Sequence, residues 1–194
     1  MRRRTFDAIT TVVGLALAGV LVVAGGLLLW GHSFVDSQVH SQLAAQKIYF
    51  PPGNSPAIKA PEFAAMHQYA GQQMTTGAQA EVYADHFIAN HLKAIGGGQT
   101  YAQLSAKAQA DPKNTALAGQ VEEMFRGTTL RGMLLNAYAF WKMGEIALWG
   151  AIASFAGAAV LLILSGLGII HLRRTIPQAE MFPKLTATDT VTTS

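Results

Sequence analysis

The sequence predicts an all-α fold: two transmembrane helices flanking an extracytoplasmic helical domain, with the membrane helices continuing into that domain. Three observations carry this expectation. Charged residues make up only 13% of the 194-residue chain, against about 25% in an ordinary soluble domain. The hydrophobic residues, 51% of the total, are concentrated in two long blocks without charge. Between the blocks, helix start and stop signals recur, and no run of alternating β-branched residues marks a strand.

Residues 1–7 form a basic N-terminus carrying Arg2, Arg3 and Arg4. The first span covers 8–30. No charge occurs from Ala8 to Phe34, and a helix from Ala8 to Trp30 would be ~35 Å long, enough for a hydrocarbon core of about 30 Å. The apolar core exceeds the roughly 7–15 residues of a cleaved signal peptide and no small-x-small site follows it, so the block reads as an uncleaved signal anchor.

The outer domain spans 31–145. Val35, Val39 and Leu43 recur at i, i+4, so the first helix continues past the membrane. Tyr49-Phe50-Pro51-Pro52-Gly53-Asn54-Ser55-Pro56 breaks it, and a short helix follows Pro61 through Tyr69. Thr76 and Gln79 have capping-box spacing and start a helix that runs to Ile95 and stops at Gly96-Gly97-Gly98. Thr100 and Gln103 repeat the box. Asp111-Pro112 ends that helix and starts another, with Asp111 as cap. Gly127 after Arg126 reads as its stop, and Thr128 or Thr129 as the cap of a final helix. With no proline before Pro177, this helix runs unbroken into the second span, 146–172, which is also free of charge. The tail, 173–194, is polar, short of core-forming residues and reads as disordered.

Arg2, Arg3 and Arg4 precede the first span; Arg173 and Arg174 follow the second. Positive residues stay on the cytoplasmic side, which predicts a multi-pass protein of the plasma membrane with both termini cytoplasmic. Trp30, Tyr138, Trp141 and Trp149 would lie near the outer interface. The domain between the spans carries eight positive and eight negative residues. The net charge of +3 and pI of about 9.3 therefore belong to the ends of the chain and signal topology, with no nucleic-acid partner. Gly14, Ala18 and Gly25 share one side of the first span, and Gly150, Ser154, Ala158 and Ser165 one side of the second. Such rows let helices approach closely, so the spans pack on each other or on a copy. No ionisable residue sits at mid-membrane depth, which removes the usual sign of an ion pathway.

Candidate chemistry is sparse. Five of the six histidines, His32, His40, His67, His86 and His91, lie in or beside the outer domain. The best local cluster is Glu81, Asp85, His86 and His91. On a regular helix His86 and His91 point about 140° apart, and the i, i+4 spacing of zinc-protease helices is absent. Glu81 and Asp85 share a face, whereas His91 joins Ala84, Ile88 and Ile95 on an apolar stripe and reads as a core histidine. The glycine triplet lacks the Lys-Ser/Thr of a phosphate loop, and no nucleophile elbow surrounds a serine. Without cysteine there is no thiol catalysis and no disulfide. The expectation is no enzyme, no metal, no cofactor and no catalytic residue. Phe125, Met133, Tyr138 and Trp141, with Leu130 and Leu134, form an apolar-aromatic group that suits either core packing or an interaction surface.

The stretches Val35-Asp36-Ser37-Gln38-Val39-His40-Ser41-Gln42-Leu43-Ala44-Ala45-Gln46-Lys47-Ile48-Tyr49-Phe50-Pro51-Pro52 and Phe125-Arg126-Gly127-Thr128-Thr129-Leu130-Arg131-Gly132-Met133-Leu134-Leu135-Asn136-Ala137-Tyr138-Ala139-Phe140-Trp141 resemble an uncharacterised family of two-span actinobacterial membrane proteins. The resemblance implies the same topology and no catalytic residue. Some relatives carry an aromatic-ring-opening dioxygenase label, but this sequence offers no convincing set of iron ligands for it. The function expected is that of a non-catalytic accessory or scaffold protein acting through the outer domain. Its partners would be the bilayer and another membrane protein or a second copy. An extracytoplasmic ligand sensor or binding protein that signals through a partner is the alternative, and a membrane-tethered metal-dependent enzyme a second one.

Overall fold

The computed structural model describes residues 3–174 and is all-α. Helix α1 is Arg3–Ala45, and two 3₁₀ segments follow at Pro56–Ile58 and Pro61–Tyr69. The short α2, Gly77–Val82, passes without a break into a π-helical segment, Tyr83–Ile88, and then α3, Ala89–Ile95. After α4, Tyr101–Ala110, the helix α5 runs from Thr115 to Arg174. Among the described residues there is no strand, only an isolated antiparallel bridge between Tyr49 and Gln73. The tail from 175 onward, where disorder is expected, and Arg2 lie outside the described residues, as do the side chains of Arg3 and Arg4.

Contacts divide the chain into two compact units, Met1–Leu28 with Trp149–Ser194, and Leu29–Leu148. Each contains parts of both α1 and α5, and each of these helices is long and apolar enough to cross a membrane.

In the first unit, Ala18, Ala151, Ala158, Ser165 and Thr11 are buried. The large residues point outward, with Val12 65%, Leu27 64% and Ile163 64% exposed. A Cβ added at Gly14 would stand 2.5 Å from the Ser165 hydroxyl, one at Gly25 3.0 Å from the Phe155 ring, and one at Gly150 3.2 Å from Leu28. The partners of Gly157 and Gly168 are Leu21 and Thr11. As one helix advances the other retreats, so the pair is antiparallel, and small residues let the two backbones come together.

The second unit folds around Phe50. Its ring is 1% exposed, edge-on to Tyr83 at 5.4 Å and tilted against Tyr69 at 5.3 Å. Val39, Leu43, Ile58, Met66, Met74, Ala80, Ala84, Ile88 and Leu134 complete this core. Lys47, in the left-handed region at φ 52°, turns the chain away from the end of α1. Gln73 then donates its side-chain amide at 2.8 Å to the Ala44 carbonyl, which also accepts from the Lys47 N–H at 3.1 Å. Backbone bonds from Phe50 N–H to the Gln72 carbonyl and from Met74 N–H to the Ile48 carbonyl pair the two loop strands.

The capping boxes at Thr76 and Thr100 form as their spacing requires. The Gln79 side chain is buried yet satisfied: its oxygen accepts from the Thr75 and Thr76 N–H groups, and its amide donates to Gln72. At Gly97 and Gly98, φ is +56° and +80°, the left-handed backbone that ends α3.

Two expected boundaries are corrected. The cap of α5 is Asn114, whose side chain accepts from the Leu117 N–H at 3.0 Å; Asp111 does not cap it. Asp111 accepts from the Asn114 N–H across Pro112 and Lys113, because Asp-Pro suits the first two positions of a β-turn as well as a helix start. Gly127 does not stop a helix either, and no new helix begins at Thr128 or Thr129. Gly127 lies inside α5, and its missing Cβ leaves room for Leu92 of α3, which would stand 2.6 Å from it. A glycine inside a helix costs about 1 kcal/mol relative to alanine, here offset by that close approach.

Gly77 and Gly132 should respond to alanine with opposite signs. A Cβ on Gly77 would overlap the Cβ and ring root of Trp141, which cannot swing aside; Gly77→Ala should destabilise by about 1–3 kcal/mol. Gly132, in α5, has nothing within 4 Å of its added Cβ, so Gly132→Ala should stabilise by about 0.5–1 kcal/mol. Thermal melts of the purified protein read both signs.

Candidate functional site

The four aromatic and methionine residues singled out on α5 do not form one surface. At 100° per residue, Tyr138 and Trp141 fall on the side of buried Leu134, whereas Phe125 and Met133 turn away from it. Trp141 packs on Gly77 and the core. Phe125 and Met133 are 54% and 63% exposed, and the Phe125 ring lies tilted 5.7 Å from the Tyr101 ring.

Tyr138 faces the acidic side of α2 and the π segment. Its phenol pKa is raised above the usual 10.0 by the Glu81 carboxylate first, then by desolvation, by a hydrogen bond with Glu81 and by Asp85. Burial raises the Tyr83 phenol. Asp85 is itself paired, at 2.6 Å, with the Arg131 guanidinium. Glu81 and Asp85 are thus committed to a tyrosine and an arginine. A phenol whose pKa is raised is a poorer acid and a poorer source of phenolate, so the cluster offers a clamp between elements and little acid–base power.

The expectation for His91 is corrected: it is exposed. The cause is the π segment, where i→i+5 bonding puts more residues in each turn. His91 is thereby rotated off the buried line of Ala84 and Ile88. The Ala89 N–H reaches back five residues to the Ala84 carbonyl. Side chains take up carbonyls in this stretch: Asn90 donates to that of His86 at 2.7 Å, and Nδ1 of His91 lies 2.7 Å from that of Phe87. Rings of Tyr83, Phe87 and His91 follow one another, each tilted against the next, at 4.8 and 4.3 Å. Nδ1 of His86 lies 3.2 Å from the Glu62 carbonyl, and Nδ1 of His32 lies 3.0 Å from that of Gly144. Among the described residues, no three His, Asp or Glu side chains converge as metal ligands do.

The residues named for helix packing lie along the α1–α5 contact of the first unit. Gly14, Gly25 and Gly150 stand against partners on the other helix, Ala18 and Ala158 are buried, and Ser154 bonds to the Gly150 carbonyl at 2.8 Å. Sequence reasoning missed Thr11 with Gly168 and Ala151 in this row; all three continue the small-residue signal at helical spacing. At one end Asp7 lies 3.9 Å from His171, beside a groove of about 420 Å³. Arg173 and Arg174 form the last turn of α5.

A second concavity, of about 510 Å³, lies within the other unit between α1 and α5. Val39, Leu43 and Leu134 form its buried floor. Gln38 and Gln42, one turn apart on α1, and Gln46 just past its end form one rim. Phe34 and Phe140 lie toward one end, Gln46 and Leu130 toward the other. None of its lining residues is charged. The sequence signal for it, amides at i, i+4 and i+8 beside an apolar stripe, was present and went unread.

Glu81→Gln removes the largest cause of the Tyr138 shift, so its pKa should fall toward 10.0 in an ultraviolet titration. The linkage has a definite sign. A phenol whose pKa is raised by folding stabilises the fold fully below pH 10, and that contribution is lost as pH climbs through the folded value. The wild type should therefore lose stability above pH 10 more steeply than Glu81→Gln.

No protein-family model, curated protein or solved structure matches the chain.

Proposed function

We propose that this chain is a two-pass integral protein of the plasma membrane, both termini cytoplasmic, that acts without catalysis as an accessory or scaffold through its 29–148 unit. It would group with the two-span actinobacterial proteins that its 35–52 and 125–141 stretches resemble. One observation carries the membrane part. In the most apolar window of each long helix only 11% of the residues are buried, which favours a membrane span over a buried core helix. Leucine, valine and isoleucine face out, while alanine, glycine, serine and threonine face in. That arrangement supports hydrocarbon as its surroundings, because water would make so large an outward apolar surface unfavourable. Exposed Phe125, Met133, Phe140 and Met143 on α5 support the interaction role, with a second copy or another membrane protein as partner. A second reading, an outward-facing ligand-binding protein that signals through a partner, is favoured by the uncharged groove between α1 and α5.

The absence of native cysteine makes a direct test possible. Lys113→Cys should react with a membrane-impermeant maleimide on intact cells, and Thr188→Cys only after permeabilisation. Labelling of both, or the reverse pattern, overturns the topology. In mild detergent the protein should run as a dimer or carry a stoichiometric membrane protein; a lone monomer overturns the accessory role.

A further inference from the structure

We infer that two copies of this chain pair in parallel along the exposed face of α5 between Phe125 and Ile146, with Asn136 of one copy against the same residue of the other. This rests on the two-pass accessory reading above and names its partner.

The face is laid out for a helix. Phe125, Thr129, Gly132, Asn136, Ala139 and Met143 are spaced alternately four and three apart, and all six are exposed. That is the 3.5-residue repeat of the seam between two coiled helices. Ile146 continues the repeat, and Met133 and Phe140 flank it. Between Gly127 and Leu148 the charged residues are Arg131, Lys142 and Glu145. At 100° per residue they stand about 120° or more from Asn136, and the Lys142 ammonium lies 5.9 Å from the centre of the Trp141 ring. Along this stretch the seam therefore sets no charge against its own copy.

Topology selects a second copy as the occupant. In a two-pass membrane protein every copy carries α5 in the same direction and at the same depth, so two such helices meet in parallel and in register, and each seam residue faces itself. An amide is its own complement, donating and accepting, and an asparagine within an apolar seam fixes register. Among the described residues, no side-chain hydrogen bond engages Asn136. Gly132 and Ala139, on the neighbouring turns, let the helices come close enough for the amides to meet; a Cβ added at Gly132 has nothing within 4 Å. Lipid does not cover this level. Asn136 stands about 15 Å along α5 from the start of the span at 146, whereas the headgroup layer is roughly 5–8 Å deep.

Area is the third argument. Phe125, Met133, Phe140, Met143 and Ile146 are each more than half exposed. Together they offer roughly 500–600 Å² per copy, against about 800 Å² per partner in a standard interface. The bilayer makes up the difference by holding both copies in one orientation, which lowers the rotational cost of association.

The chain has no cysteine, so single-cysteine versions of the full chain can be oxidised mildly in native membranes. Thr129→Cys, Asn136→Cys and Met143→Cys should each form disulfide-linked dimers at least fivefold faster than Glu123→Cys, which is exposed about 140° around the helix from Asn136. Asn136→Arg sets like charges face to face and should weaken self-association about tenfold, read by energy transfer between differently tagged copies at graded protein-to-lipid ratios in phosphatidylcholine vesicles. Mixing Asn136→Arg with Asn136→Asp should restore it. Circular dichroism shows that each variant stays helical. Equally fast cross-linking at Glu123→Cys, association indifferent to Asn136→Arg, no recovery in the mixed pair, or a different membrane protein cross-linked through Asn136→Cys overturns the inference. Any of these with a dimer or a stoichiometric partner still present leaves the accessory reading standing, whereas a lone monomer removes both.

Discussion

The 29–148 unit depends on the burial of one aromatic ring. Phe50 lies five residues past the end of α1, precedes a pair of prolines and is closed in by Tyr69 and Tyr83. Its backbone N–H is tied to the Gln72 carbonyl. A chain without disulfides must hold an irregular connection of this length by packing and backbone bonds alone. Seating Phe50 fixes the path from α1 to the second 3₁₀ helix, and that path carries Gln72 and Gln73 to the positions where they bond Gln79 and the end of α1. Removing the ring would leave two tyrosines and these three polar bonds without the surface that orients them.

The two units solve packing in opposite ways. In the 29–148 unit the large apolar and aromatic side chains are inside. In the other unit the smallest side chains are inside and the large ones face out. The contrast matches two helices that are long and apolar enough to cross a membrane, beside a unit with an ordinary apolar core. Burial of large residues lowers free energy against water. Against hydrocarbon it gains nothing, and close backbone approach through glycine, alanine and serine becomes the remaining source of cohesion.

Much of the fold was legible because local signals and tertiary contacts agree. Thr76 with Gln79, Thr100 with Gln103 and the glycine triplet act within a few residues of themselves, and each lies where its pattern puts it. The failures occur where a local signal served a distant partner. Gly127 reads as a stop, yet its role is space for Leu92, some 35 positions earlier in the chain. Asp111-Pro112 reads as a helix start, but the same dipeptide makes an equally good turn, and Asn114 was better placed to cap. The π segment leaves no mark in residue types, so the His91 stripe, computed at a constant 100° per residue, drifted off register. Of the candidate site, the individual residues were legible and their grouping was not. Trp141 belongs with the core, Tyr138 with Glu81 and Asp85, and Phe125 and Met133 with the surface.

The π segment also changes what a length difference would mean for this chain. Between Val82 and Ala89 the helix holds an extra residue within a turn whose ends are fixed by α2 and α3. A version one residue shorter there could close into regular α-helix while its capping box, glycine stop and flanking contacts stayed in place. The segment is therefore a reservoir of slack: a one-residue deletion that would re-register every later side chain elsewhere in the helix is absorbed here by the local winding.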